Sequence, residues 1–187
     1  MVGGTLAAVI DRELKRVLGQ MTDGVTVVAV AADGIVRAYT SHWTQQVSFT
    51  DPIVALSVSP KHDTHPLIVE AGRVTISILA GDQVDAGQYF SYPGHRFRYV
   101  GDFLVDTPVG PGVQDAIGWL GCEVVDRYDG LPDHDLFFVR VEAVAEGRLD
   151  EPALTYSSRK GWRIADAPAR KPGESVRDWL LSLLDED

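Results

Sequence analysis

One cysteine, Cys122, is all the thiol that this 187-residue chain contains. It excludes an intramolecular disulfide and, within one chain, every zinc or iron–sulfur site built from cysteines. The residue lies in the apolar run WLGCEVV, where a buried structural thiol is expected rather than a nucleophile. Positive charge is also scarce: 17 Lys and Arg stand against 27 Asp and Glu, a formal net charge of -10. Nucleic acid and an acidic membrane surface are thereby excluded as partners, since both require a basic footprint. No apolar run approaches the roughly 20 residues of a membrane span, and the N-terminus lacks a basic region followed by an apolar core, so a cytoplasmic location is expected. Three catalytic signatures are missing as well: GxGxxG after a strand, HExxH and GxSxG. Five histidines are present, with His62 and His65 close together, but there is no CxxC and no facial pair with a carboxylate at fixed spacing, so no metal site is expected.

What remains is an ordinary globular composition, 45% hydrophobic and 24% charged, in a length suited to one domain with a real core. The chain is organised around residues 40–72, TSHWTQQVSFTDPIVALSVSPKHDTHPLIVEAG. Residues 40–46 read as a polar loop with hydroxyls, amides, an imidazole and an indole, suited to a flat heterocycle. IVALSVS alternates apolar with small or polar residues and predicts a half-buried strand ending at Ser59 and Lys61. KHDTHPLIVEAG then reads as a helix start, with Asp63 or Thr64 as cap, Pro66 in the first turn and Gly72 as the stop. A helix N-terminus offers unpaired backbone N–H groups, so with Ser59, Lys61 and Thr64 it makes a phosphate cradle; an ordinary capped helix is the competing reading. Lys61, Arg96, Arg98, Arg159 and Lys160 are the cations available to an anionic ligand.

Around this stretch, residues 6–18 have apolar positions at helical spacing and end at Gly19. VTVVAVAADGIVRAYT is a hairpin turning at Asp33 and Gly34. RVTISIL is a further strand, and Asp82 can cap a short helix after it. Residues 91–112, rich in proline, glycine and aromatics, read as a long ordered loop. Residues 117–128 and 136–146 are long strands joined by DGLPDHD, and residues 154–164 form a short hairpin. His134, opening the second long strand, is expected at the rim where substrate meets solvent. Residues 166–173 are a proline-rich linker, and 174–184 an amphipathic helix, carrying Trp179, that docks on the barrel or on a second subunit. About seven strands with singly inserted helices predict a mainly β fold, an antiparallel barrel with helical decoration.

The succession LGQMTDGVTVVAV, TSHWTQQVSFTDPIVALSV, HDTHPLIVEAGRVTISIL and AIGWLGCEVVDRYDGLPDHDLFFVRV resembles the flavin reductase-like family of the FMN-binding split barrel fold, in particular its flavoredoxin-type members. The resemblance covers about residues 12–165, and residues 1–165 are taken as the domain, with 166–187 as linker and terminal helix. It implies a homodimer binding FMN, with FAD as the alternative, and NAD(P)H as co-substrate. It assigns the flavin ring and ribityl chain to Thr40, Ser41, His42, Trp43, Thr44, Gln45 and Gln46. Ser59, Lys61, Thr64 and His65 are assigned to the phosphate, with Arg96 as a further cofactor cation. His134 is placed near the flavin and the nicotinamide. Electrons would pass to free flavin, a ferric chelate or a partner such as a monooxygenase; the competing function is a carrier of flavin, haem or deazaflavin on the same barrel. Family members carry Ser or Asn at the position of His42 and Thr at that of Gln45, and Gly-Asp where this chain has Pro132 and Asp133.

Overall fold

The two edge strands of the main sheet are consecutive in the chain, and this decides its shape. In the computed structural model, which describes residues 12–91 and 103–164, a seven-stranded antiparallel sheet has the order β3-β2-β6-β9-β10-β5-β4. Its strands are β2 (Thr26–Ala32), β3 (Ile35–Ser41), β4 (Thr44–Gln46), β5 (Ile53–Val58), β6 (Arg73–Ile78), β9 (Gly118–Tyr128) and β10 (Asp135–Glu146). Laid flat, six inter-strand steps would separate β3 from β4 by about 29 Å. Only His42 and Trp43 connect them, and a link of that length spans at most about 11 Å. The sheet therefore curls until its edges meet, and a 2.9 Å hydrogen bond between the hydroxyls of Thr26 and Thr44 ties β2 to β4 across the seam.

The strand alternation read from the sequence orders the interior. Val54, Leu56 and Val58 of β5 and Phe137 and Val139 of β10 point inward with Val28, Val30, Tyr39, Val74, Ile76 and Cys122. Burial pushes the Cys122 thiol up to about 12, with Glu142 adding to it, so it is an inert core group. Helix α2 (Thr64–Ala71) covers this cluster with Ile68. Its stop is as expected: Gly72 sits at φ 61°, a left-handed conformation that glycine adopts without strain. Strand β2 is buried on both faces, because Val25 and Val27 join a second cluster with Leu79, Ala86, Phe90, Val113 and Leu154. That cluster lies under α3 (Val84–Tyr89) and the small sheet of β1 (Asp23–Gly24), β11 (Leu154–Ser157) and β12 (Gly161–Ile164).

Several local expectations need correcting. The described residues hold twelve strands, not about seven, because short strands escape a periodicity reading. Residues 40–46 are not a loop: they are the end of β3, a two-residue turn and β4. Inside the expected long loop, β7 (Leu104–Thr107) and β8 (Gly110–Val113) pair as a hairpin whose tip packs on β6 and β9. Asp82 does not cap α3; it forms a two-point ion pair with Arg148, at 2.7 and 2.8 Å. Helix α1 (Arg12–Leu18) is the described part of the expected first helix, and Leu14, Val17 and Leu18 on it are 49–69% exposed rather than packed. The linker and Trp179 helix at residues 166–187 lie outside the described residues.

Candidate functional site

Where the two sheet edges meet, the seam does not close completely. A cavity of about 250 Å³ opens there, lined by Tyr39, Thr40, Ser41, His42, Trp43, Ser57, Ser59, His62 and His134. Each wall has a local reason. Tyr39 and Ser41 share one face of β3 by the period of two, and Ser57 and Ser59 share the face of β5 opposite Leu56 and Val58. His62 follows in the turn before α2, and His134 ends the connection into β10. The turn between β3 and β4 is held from both sides: Trp43 N–H donates to Ser41 Oγ at 3.2 Å, and Ser57 N–H donates to Trp43 C=O at 3.1 Å.

Rings surround the opening. Trp43 is edge-on to His134 at 5.1 Å and to His42 at 5.0 Å, and Tyr39 stacks at a tilt on His62 at 5.3 Å. The indole remains 52% exposed, a large apolar face left open at a polar cavity. Burial, and then the neighbouring His134, hold His62 below the usual imidazole range, with Asp63 opposing, so its neutral form is favoured. Burial drives the Tyr39 phenol well above its ordinary value; the nearby Ser41 hydroxyl opposes this without reaching hydrogen-bond geometry. Tyr39 is thus a neutral hydroxyl at any physiological pH.

Three buried polar atoms among the described residues lack a hydrogen-bond partner: Tyr39 Oη, His42 Nδ1 and Thr64 Oγ1. Two belong to residues lining the cavity, and the third starts α2. Buried groups left without any partner cost about 1–3 kcal/mol each. His42 Nδ1 faces Asp23 at 3.5 Å, beyond a good hydrogen bond.

Beside this open set lies a closed one. His65 Nε2 is 2.6 Å from the buried Asp135 Oδ2, which also accepts from Arg127 Nε at 3.0 Å and Nη2 at 2.6 Å. The His65 hydrogen bond, then Arg127, hold the Asp135 carboxyl below its ordinary value against the opposing effect of burial. His65 and Arg127 both lie against the Phe137 ring, at 5.4 and 5.6 Å. The trio pins α2 to the start of β10.

The cavity thus gathers Thr40, Ser41, His42, Trp43, Ser59 and His134 from the residues expected at a site. Lys61 is exposed and does not line the cavity; its backbone N–H lies 3.4 Å from Ser59 Oγ. Thr44 is engaged with Thr26, Gln45 and Gln46 are exposed and bond to backbone carbonyls of their own segment, and the His65 ring turns inward to Asp135. Arg96 lies outside the described residues. Tyr39, Ser57 and His62 were not anticipated. The alternation Tyr39–Ser41 and Ser57–Ser59 carried a signal for two of them, since residues two apart on a strand share a face.

Residues 18–163 match the model of the flavin reductase like domain. The reductase component of a 4-nitrophenol 4-monooxygenase/4-nitrocatechol 2-monooxygenase from Rhodococcus opacus is 31% identical, over 80% of this chain and 79% of that protein. An NADH-dependent flavin reductase from a Rhodococcus species is 33% identical, over 69% and 73% of the two chains. Among solved structures, BorF, the flavin reductase component of a bacterial two-component tryptophan halogenase, superposes with a TM-score of 0.71 at 25% identity, covering 85% of this chain and 99% of that one. Among the described residues no helix is long and apolar enough to cross a membrane.

Proposed function

The chain belongs to the flavin reductase like domain family, and from that premise we propose that it reduces flavin with NAD(P)H and delivers the electrons to a separate oxygenase or other acceptor. It is a flavin oxidoreductase of the split-barrel type. One observation carries the assignment of the site: the seam cavity combines an open indole face with unpartnered buried polar atoms on Tyr39 and His42. A flavin has matching features, a flat ring with polar pyrimidine edges and an anionic tail, so the residues fit the group.

In this reading Trp43 covers one edge of the ring, and Tyr39, Ser41 and His42 meet its polar side with hydroxyl and imidazole groups. Ser59, Lys61 and the free hydroxyl of Thr64 hold the phosphate at the start of α2, where backbone N–H groups add to the field. His65, drawn in by Asp135, holds that helix end in place instead of touching the phosphate. His134, edge-on to Trp43, stands where a nicotinamide meets the ring and helps to seat it. A flavin held by these residues would supply the redox chemistry, acting as acceptor for a hydride and as donor to the next acceptor. No side chain is required to move a proton in the hydride step; the protein binds, orients and excludes water. FMN is the preferred flavin in this reading. A homodimer is supported by the exposed apolar run beside edge strand β4, where Val47 is 53% and Phe49 90% exposed.

Anaerobic titration tests the proposal. Protein loaded with FMN is expected to lose its oxidised flavin absorbance within seconds of NADH or NADPH addition and to recover it with air. A protein that binds FMN but stays oxidised is a carrier, and one that binds neither FMN nor FAD has no flavin site.

A further inference from the structure

Among the described residues, His42, His65 and His134 each have a carboxylate within 4 Å, from Asp23, Asp135 and Asp133 respectively, and His62 has none. The His62 ring stands half-buried in the wall of the seam cavity, stacked at a tilt on Tyr39 at 5.3 Å. Its backbone is pinned on both sides. The His62 N–H donates to Ser59 C=O at 3.0 Å, and its C=O accepts from His65 N–H at 3.0 Å, so the turn that carries it is fixed to the start of α2.

No group packed around His62 supplies a balancing charge inside the cavity. From β3 comes the Tyr39 phenol, which stays neutral, and from the end of β5 the Ser59 hydroxyl. The connection into β10 brings His134, a second imidazole, which already has Asp133 at 3.1 Å. On the turn itself Lys61 and Asp63 are exposed, and on α2 the His65 ring is turned to Asp135. Burial, and then His134, accordingly favour the neutral form of His62, with Asp63 opposing.

Two buried hydroxyls beside it suit an anion. Thr64, 3% exposed, keeps an unpartnered Oγ1 at the first residue of α2, where backbone N–H groups favour negative charge. Tyr39, also 3% exposed, keeps an unpartnered Oη in the cavity wall. A phosphate entering there brings His62 the counter-charge that no neighbour provides. Resting on the flavin reading above, we infer that His62 is a proton-coupled ligand of the flavin's terminal phosphate: it takes a proton from solvent as the phosphate enters and donates it as a hydrogen bond.

An opposite charge strengthens proton binding by an imidazole, so His62 titrates at higher pH with the phosphate present than without it. Flavin affinity therefore falls as pH rises through the window between those two values, by at most about tenfold per pH unit for one proton. Riboflavin, which has the same ring and ribityl chain and no phosphate, is free of this dependence.

Fluorescence titrations with FMN and riboflavin between about pH 6.5 and about pH 8.5, where the phosphate is already mostly dianionic, test the inference. The wild type is expected to lose FMN affinity about tenfold across this range while riboflavin affinity holds, and to take up a fraction of a proton per FMN bound in weakly buffered indicator solution. His62→Gln, which keeps a donor and cannot titrate, should bind FMN independently of pH and without proton uptake, whereas His134→Gln should retain most of both. A wild-type FMN-to-riboflavin affinity ratio that is flat with pH, or proton uptake that survives in His62→Gln or vanishes in His134→Gln, overturns the inference and leaves the flavin site standing. Binding of neither flavin overturns the flavin reading and this one with it. Should His62→Gln fail to fold, the wild-type ratio and proton count decide.

Discussion

Two sets of polar side chains meet at the start of α2 and of β10, and they are opposite in character. His65 and Asp135 face inward and are satisfied, with Arg127 completing the set. Their chain neighbours Thr64 and His134 belong to the open set, where Thr64, Tyr39 and His42 keep buried polar atoms without partners. Thr64 and His65 are consecutive on α2, and His134 and Asp135 straddle the start of β10, so in each pair one side chain turns into the closed set while its neighbour stays outside it. The closed set spends its hydrogen bonds on holding two elements together. The open set carries the cost of buried polar atoms without partners, which on the proposed reading a bound flavin offsets.

The largest effect is expected from breaking the closed set. Asp135→Ala leaves Arg127 and His65 facing a gap, and about 2–3 kcal/mol of unfolding free energy should be lost in urea titration, toward the low end for a broken buried pair because Arg127 is partly exposed. The same carboxylate gives an acid signature. Its folded pKa lies below the ordinary 3.8, so its contribution is complete above that value and is lost as pH falls through the folded pKa. Stability of the wild type should fall as pH drops below 3.8, and Asp135→Asn should flatten that fall.

Next come the ligand-side residues. Lys61→Ala and Thr64→Val are expected to weaken FMN by about tenfold each through lost phosphate contacts, with unfolding of the flavin-free protein unchanged for Lys61→Ala. Equal dissociation constants in fluorescence titration would remove the phosphate assignment. Tyr39→Phe sharpens the contrast most directly. Deleting a partnerless buried hydroxyl should raise the stability of the flavin-free protein by up to about 1 kcal/mol while lowering flavin affinity. The smallest effect on binding is that of His134→Ala, which should spare FMN affinity and slow stopped-flow reduction by NADH several-fold; an unaltered rate would take His134 out of the nicotinamide's path.

Much of this was readable before any coordinates. The Asp33–Gly34 turn, with φ of 47° and 77°, the alternation of IVALSV and the stop at Gly72 are local properties of backbone sterics and side-chain period. Residues 40–46 were misread as a loop since hydroxyls and amides resemble loop composition, yet pairing of Gln45 with Ala55 makes them a strand edge. The β7–β8 hairpin was hidden by Pro108 and Pro111 and depends on a close approach, with Gly110 lying against Thr75. Tyr39 and Ser57 belong to the cavity for a period-two reason, but nothing local says that two edges of one sheet meet there.

The amino-acid sequence by itself determined the long strands, the helix stop at Gly72, the excess of negative charge, the apolar setting of the single thiol and the polar cluster around residue 42, because each follows from neighbours a few residues apart. Only the tertiary structure decided that His65 and Asp135 turn toward each other while their neighbours Thr64 and His134 stay outside that set. That choice rests on Asp135 meeting His65 across 70 positions and on β3 and β4 closing a seven-stranded sheet through two residues, both of them long-range contacts formed when the sheet curls.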